Sequence, residues 1–361
     1  MLKKIAIIGA GMAGITAART LLKAGHSVTV FEKSRGAGGR MSTRESSWGS
    51  FDHGVQYFTI RDPRFEKAIK EVPGTEDICR PWSVNAVRVL DELGRVIEAP
   101  LPAREKHYVA VPAMNALVKH WAQPLVDLDA VHYSTEVTRI QSSEKIPTAR
   151  TWTLHTQQGE TSQEFEGFDS VLIAVPNIQC SALLERSMLQ KLIDPGLTSS
   201  IQAIKQQVDL VVTEPCWTLM VAYPQASQQG LTHFGPQWNA AKSTHHRIAW
   251  VARESSKPGK SHIERWTVQA GPQWSNEHLE DDPERVKAKL LRAFAELTGI
   301  RVEPSHSAVH RWRYAKTLTP LGQNCLWAQE AHIGTCGDWH LGHRVEDAFI
   351  SGLSLALLVC A

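Results

Sequence analysis

Residues 5–33, IAIIGAGMAGITAARTLLKAGHSVTVFEK, restrict the possible folds more than any other stretch of the chain. Ile5-Ala6-Ile7-Ile8 is a short apolar run suited to a buried parallel strand. Gly9-Ala10-Gly11-Met12-Ala13-Gly14 follows, and Ile15 to Lys23 reads as a helix with Ile15, Ala18, Leu21 and Leu22 on one side. Gly25 ends that helix, and Ser27 to Phe31 is a second apolar strand with Glu32 at its end. Strand, glycine loop, helix, strand and acid in this order form a dinucleotide site. Gly9 permits the tight turn, Gly11 lets the backbone approach a pyrophosphate, and Gly14 lets helix and strand pack closely. The N–H groups around Met12 and Ala13 face the phosphates. Glu32, eighteen residues after Gly14, is placed to accept from ribose hydroxyls. The fold class is therefore α/β, with a Rossmann-like cofactor domain.

The motif alone does not separate NAD from FAD, and the next stretch helps. In KSRGAGGRMSTR, residues 33–44, Gly36, Gly38 and Gly39 lie between Arg35 and Arg40, directly after Lys33. A second glycine loop with cations suits a longer, extended cofactor with Arg near its phosphate or flavin oxygens; a mobile basic loop is the plain alternative. At the far end, Ile333 to Cys336 reads as a short strand, Gly337-Asp338 as a sharp turn, and Val345 to Leu358 as a helix rich in small residues that can pack close to something flat. Both ends of the chain then meet on one cofactor, FAD.

Composition removes several classes. A chain of 361 residues with 42% hydrophobic and 21% charged residues is long enough for two domains. Its net charge of +2 provides no global field for nucleic acid or an anionic membrane. The six Cys form no CxxC pair, which disfavours a zinc or dithiol site and fits buried thiols in a reducing compartment. Lys3 and Lys4 ahead of Ile5–Gly14 imitate a secretion signal, yet three Gly within six residues break its apolar helix, and no apolar run is long enough to span a bilayer. A cytoplasmic protein is expected. Among the sixteen His, His245-His246 and His340/His343 lack a carboxylate partner pattern, so no metal site is expected.

The cofactor domain reads as discontinuous, with residues 1–75, 106–180 and 307–361, and a parallel sheet plus a β-meander. Residues 131–141, 151–156 and 170–176 read as its strands. An α+β substrate domain takes 76–105 and 181–306. It contains a hairpin over 83–99 about Leu93-Gly94, strand-like runs at 208–213, 217–223, 247–252 and 264–270, and an amphipathic helix over 283–299.

The glycine motif, Glu32, RGAGGR and the late GDW…VEDAFISG together resemble the flavin-containing amine oxidase superfamily. Within it the chain looks most like the bacterial renalase family, through DHGVQYFTIRDPRF (52–65), WVARESSKPGK (250–260), QWS (273–275) and HRWRYA (310–315). The resemblance implies non-covalent FAD, with Gly39 and Arg40 beside its central part and Gly54, Gln56 and Tyr57 near the isoalloxazine ring. It further implies that Val137 meets the adenine through its backbone and that Asp338, after Gly337, binds the ribityl or pyrophosphate region. Val345 and Glu346 would face the flavin pyrimidine. Cys336, just before Gly337, gives only weak grounds for a covalent link.

Renalase relatives oxidise 2- or 6-dihydro isomers of NAD(P)H to NAD(P)+ by hydride transfer to flavin, and oxygen then gives peroxide. Such a donor needs stacking distance to flavin N5 and no general base, so no catalytic side chain is expected. A nucleotide substrate would also need cations, and KSTHHRIAWVARESSKPGKSH (242–262) gathers Lys242, His245, His246, Arg247, Arg253, Lys257 and Lys260. A solvated hairpin is the alternative for this run. Tyr57, Trp250, Arg253, Lys257, Trp274 and Trp339 are the substrate-contact candidates, with core packing the alternative for Trp274 and Trp339. Trp250 and Arg253, three apart, face opposite ways on a straight strand. An amine oxidase or desaturase of the same fold is the competing activity, and a flavin-binding sensor without turnover is a third class.

Overall fold

The computed structural model describes residues 2–82, 87–97, 105–146, 149–227, 236 and 238–361. β1 (Lys4–Ile8), α1 (Met12–Lys23) and β2 (Ser27–Phe31) form where the apolar spacing predicts them. β1 is central in a six-stranded sheet. It pairs in parallel with β2 on one side and with Ser170–Ile173 on the other. Ile333–Thr335 and Leu326–Ala328 extend one edge, and Val131–His132 the other. The last strand and the first thus lie in one sheet although they are more than three hundred residues apart. Ile5, Ile7 and the inward side of α1 share a core with the C-terminal helix Val345–Cys360.

Several elements differ in extent from the sequence reading. The strand expected over 131–141 breaks at Ser134, which sits at φ 54. Its first part stays in the parallel sheet. Its second, Glu136–Ile146, turns into an antiparallel three-stranded meander with Ala149–Gln158 and Thr161–Phe168. The run at 208–213 is not a strand: Val208 ends the helix Pro195–Val208. Only Val212 and Thr213 of that run join a strand, Val212–Tyr223, which also contains 217–223. Its pairing with His306–Thr319 is irregular between Glu214 and Cys216, where Pro215 has no N–H to donate. Where the sequence places 181–208 in the substrate domain, the fold seats the helices Asn177–Leu189 and Pro195–Val208 on the core beneath β1 and the meander, with Leu184 and Ile201 against Ile8 and Ile140.

The second large sheet has seven strands, in the order His306–Thr319, Val212–Tyr223, Glu264–Ala270, Ile248–Arg253, Ala240–Ser243, Val87–Leu90, Val96–Ile97. The last two form the expected hairpin about Gly94, at φ 77; residues 83–86 and 98–99 of that expectation lie outside the described residues. One face of this sheet is covered by the helix Pro283–Thr298, which Asp282 caps at its start and left-handed Gly299 at its end. The other face turns toward residues 51–57 of the cofactor domain. Among the described residues no helix is long and apolar enough to cross a membrane.

Candidate active site

A cleft of about 1190 Å3 runs from the end of β1 to the edge of the seven-stranded sheet. It slightly exceeds the roughly 300–1,000 Å3 of ordinary small-ligand pockets, as an extended dinucleotide requires.

Backbone alone builds its first end. Gly9 stands at φ 108, and its N–H donates to Phe31 O at 2.8 Å, which closes the turn onto β2. A Cβ on Gly14 would lie 2.0 Å from Gly9 O, so only glycine lets α1 start this close to β1. Gly11 differs: a Cβ there would meet only Gly39 Cα, at 3.9 Å, on the cleft side. No side chain caps α1, so the N–H groups of Met12 and Ala13 keep their donors free for phosphate oxygens. Glu32 is buried and accepts from Ala10 N and Ser34 N, both at 2.8 Å, which fixes its carboxylate at the cleft wall. Gly38 N donates to Ala10 O at 3.0 Å, so the second glycine loop lies directly on the first. Lys33, Arg35 and Val137 line this end.

The two chain ends meet across the middle. Arg40 forms an ion pair with Asp338 and also donates to Ala315 O at 3.4 Å. Gly337 N donates to Ser351 Oγ at 3.0 Å, tying the turn to the C-terminal helix. The small residues of that helix pack on α1 rather than on a flat ring: a Cβ on Gly352 would lie 2.1 Å from Ala13 O. Val345 and Ala348 do reach the cleft. Glu346 does not. Its carboxylate turns to Arg61 N and Asp62 N, at 2.7 and 2.5 Å, and fastens the loop ahead of the helix Pro63–Glu71. Cys336 is fully buried, and burial pushes its thiol pKa up.

Residues 53–55 wall the other end. Val55 N donates to Arg40 O at 2.9 Å, and a Cβ on Gly54 would lie 2.0 Å from the same oxygen. Gly54 is thus a close-approach glycine pressed on the second glycine loop. His53 stacks on Trp312 with centroids 5.2 Å apart, and His310 stands edge-on to both. Trp312 Nε1 donates to His53 O at 3.0 Å. Burial pushes His53 down to about 3 and His310 down to about 4, so both rings are neutral near pH 7. Arg44 lines the cleft beside them and forms no ion pair among the described residues. His310 and Trp312 were not among the sequence candidates. The alternation His-x-Trp-x-Tyr over 310–314 is the signal that could have found them, since a strand puts alternate residues on one face.

The other sequence candidates separate. Gln56 faces away from the cleft: Nε2 donates to Gly54 O at 3.1 Å, and Oε1 accepts from Lys257 at 3.4 Å. Tyr57 stacks on His107 at 3.9 Å and tilts against Trp250 at 5.6 Å, and none of the three lines the cleft. Arg253 points to the opposite face of its strand, as the three-residue spacing requires. It lies 4.8 Å above the Trp266 ring and pairs with Glu264 at 3.1 Å. Trp274 packs edge-on to His278, in the core under the helix Pro283–Thr298. Trp339 lines the cleft with its ring on His340 at 3.9 Å and its Nε1 donating to Val175 O at 3.0 Å. The basic run 242–262 does not supply the cleft's charge. His245 bonds Glu296, Arg247 bonds Lys289 O, and Lys257 and Lys260 are buried against carboxylates. The cations of the cleft come instead from 33–44, Lys119, Arg186, 311–313 and Arg344.

These features fit FAD: an uncapped helix start, two glycine loops in contact, a fixed carboxylate, and a cleft in which cations outnumber carboxylates. Comparison with known proteins agrees. The family described as "NAD(P)-binding Rossmann-like domain" matches residues 7–72, and "Flavin containing amine oxidoreductase" matches residues 99–359. A 4,4'-diapophytoene desaturase of Staphylococcus aureus (strain Newman) is 47% identical, over 59 residues only; these are 16% of this chain and 12% of the desaturase. Two solved structures share the fold over nearly the whole length of both chains. A putative protoporphyrinogen oxidase from Exiguobacterium sp. 255-15 has TM-score 0.71 at 12% identity, covering 99% of this chain and 98% of its own. Cyclohexylamine oxidase from Brevibacterium oxydans IH-35A has TM-score 0.70 at 13% identity, covering 100% and 99%. The chain belongs to the flavin-containing amine oxidoreductase family and is, with FAD as its cofactor, a flavin-dependent oxidoreductase.

Proposed function

We propose that the protein oxidises 2- or 6-dihydro isomers of NAD(P)H to NAD(P)+. The substrate loses one hydride, two electrons and a proton's mass, to bound flavin. Oxygen then takes two electrons and two protons and leaves as hydrogen peroxide. FAD supplies the hydride acceptor; the chain binds, orients and excludes water. In this reading the FAD is held without a covalent bond, the seven-stranded sheet presents the substrate, and the protein works in the cytoplasm, where six thiols stay reduced.

One observation carries the proposal: among the described residues Arg44 has no anionic partner, and it stands beside the neutral rings of His53, His310 and Trp312. An unpaired guanidinium favours a phosphate and repels an ammonium ion, while neutral rings accept a flat dihydropyridine by stacking. A dihydropyridine releases hydride without first losing a proton, so the absence of a charged base at these rings is no obstacle.

A second reading, oxidation of an amine, is supported by the same neutral rings and by the apolar Val55, Val345 and Ala348 in the cleft. The fold likeness to cyclohexylamine oxidase fits it as well. The desaturase match lies in 59 residues and says nothing of substrate. Anaerobic stopped-flow mixing separates the two. Purified protein meets 2-dihydroNAD, 6-dihydroNAD, their phosphorylated forms, ordinary NADH and a panel of amines, followed at the flavin absorbance band. Rapid bleaching by one dihydro isomer is the expected result and names the isomer. Bleaching by an amine alone overturns the proposal in favour of the second reading.

A further inference from the structure

Two sequence stretches, DHGVQYFT and RESSKPGK, lie about two hundred residues apart, yet the fold locks them together through buried charge. Lys257, Lys260, Asp52 and Glu254 have side chains 0–2% exposed. Lys257 Nζ donates to Glu254 Oε1 at 2.9 Å, Asp52 Oδ2 at 3.1 Å and Gln56 Oε1 at 3.4 Å, so all three of its protons are used. Asp52 Oδ2 also pairs with Lys260 at 3.0 Å, and its Oδ1 accepts from Thr43 Oγ1 and Met114 N at 2.8 and 2.9 Å. Burial alone would raise the Asp52 carboxyl, but the two ammonium groups outweigh it and hold it below its ordinary value.

The cleft wall lies between two of these anchors. His53 and Val55 line the cleft on either side of Gly54; Asp52 before them and Gln56 after them turn back and end on the same ammonium. Gln56 Nε2 and Gln269 Nε2 both hold Gly54 O from behind, at 3.1 and 2.7 Å. Charge this deeply buried is costly to desolvate and is weak evidence for stability. Each of these buried charges has an opposite charge within 3.1 Å, and a paired buried network of this kind instead fixes one geometry.

We propose that Lys257 is a positioning residue that clamps both ends of the 53–55 wall and so sets its distance from the flavin ring. This rests on the ring lying along that wall, and is independent of which substrate is oxidised. The clamp acts from the side opposite the cleft and touches no reacting atom.

The test uses purified FAD-bound protein and the flavin midpoint potential, titrated with dithionite against reference dyes, so no substrate enters. Gln56→Leu removes one anchor without changing charge. The double variant Asp52→Asn/Lys257→Met removes the ammonium, and with it both anchors, and keeps the remaining Lys260–Glu254 pair balanced. Each is expected to shift the two-electron reduction equilibrium about tenfold, about 30 mV, and to displace the visible flavin band. Thr267→Val loses only a bond to Glu254, at 2.8 Å, and is expected to keep the wild-type potential. A wild-type potential and spectrum in Gln56→Leu, with only the melting temperature lowered, overturns the clamp. An equal shift in Thr267→Val also overturns it. If the double variant does not fold, Gln56→Leu decides alone.

Discussion

The two ends of the cleft are built on different principles. At the glycine end, contacts come from residues within about thirty positions of one another, and most are backbone groups: Gly9 N to Phe31 O, Ala10 N to Glu32, Gly38 N to Ala10 O. At the aromatic end, His53 meets Trp312 and His310 across more than 250 residues, and the contacts are side-chain rings held by one sheet and one loop. The first end tolerates no added atom. The second is defined by which rings and charges are presented. The glycine end is therefore tied to local sequence, and the aromatic end, which takes the substrate in the proposed function, to the packing of one sheet on one loop.

Breaking the glycine end has the largest effect. Gly14→Val puts carbon into Gly9 O, and overpacking of this kind costs about 3 kcal/mol or more. At about 1.4 kcal/mol per tenfold, FAD should bind about 100-fold more weakly or not at all, read as flavin content after purification. Trp274→Ala is next in size but of the opposite kind. It empties a core site and should lower stability by about 3–5 kcal/mol, while the surviving folded protein keeps wild-type flavin absorbance and substrate KM. A changed KM there would return Trp274 to the site.

Smaller changes sharpen the contrast. Glu32→Ala leaves Ala10 N and Ser34 N without their acceptor, and FAD affinity should fall about tenfold, with turnover at saturating FAD little changed. Isothermal titration of apoprotein with FAD measures it. Arg44→Ala should do the reverse: KM for a phosphate-bearing dihydronicotinamide rises about tenfold, FAD affinity stays, and the salt dependence of KM weakens. An unchanged KM would remove the cation from the substrate path.

The smallest effect is graded with pH. His53, His310 and His340 have folded pKa values of about 3, 4 and 3, below the ordinary 6.5, chiefly because burial disfavours their charge. The unfolded chain then binds more protons than the folded one between pH 6.5 and these values, so stability rises with pH across that window. It is complete above about 6.5 and declines as pH falls toward 4. Melting curves of the FAD-bound protein from pH 7.5 to 4.5 check this; a flat profile would mean that these rings are less buried than described here.

Much of the glycine end is readable from the chain because its signals are local. A run of four apolar residues, three glycines and an acid specify strand, turn, helix start and a carboxylate at the cleft wall without reference to any distant residue. The amphipathic helix 283–298, with Pro at its start and Gly299 after it, is legible for the same reason. The period of two in a strand correctly separates Trp250 from Arg253, yet it cannot say which face meets the cofactor domain. Lys257 shows the limit. In sequence it belongs to a basic run suited to phosphate, and only the fold shows that Asp52, 205 positions earlier, occupies its charge.

Sequence alone determined that this chain holds a dinucleotide in a Rossmann-like loop, because tight turns and close backbone approach restrict residue identity at fixed spacing. Tertiary structure decided which cations face the cleft, which are neutralised in the interior, and which of twelve Trp stand near the wall. Those outcomes depend on long-range partners. A side chain's charge or ring is the same at the surface, in the core or in a site, and only the groups packed around it select among them.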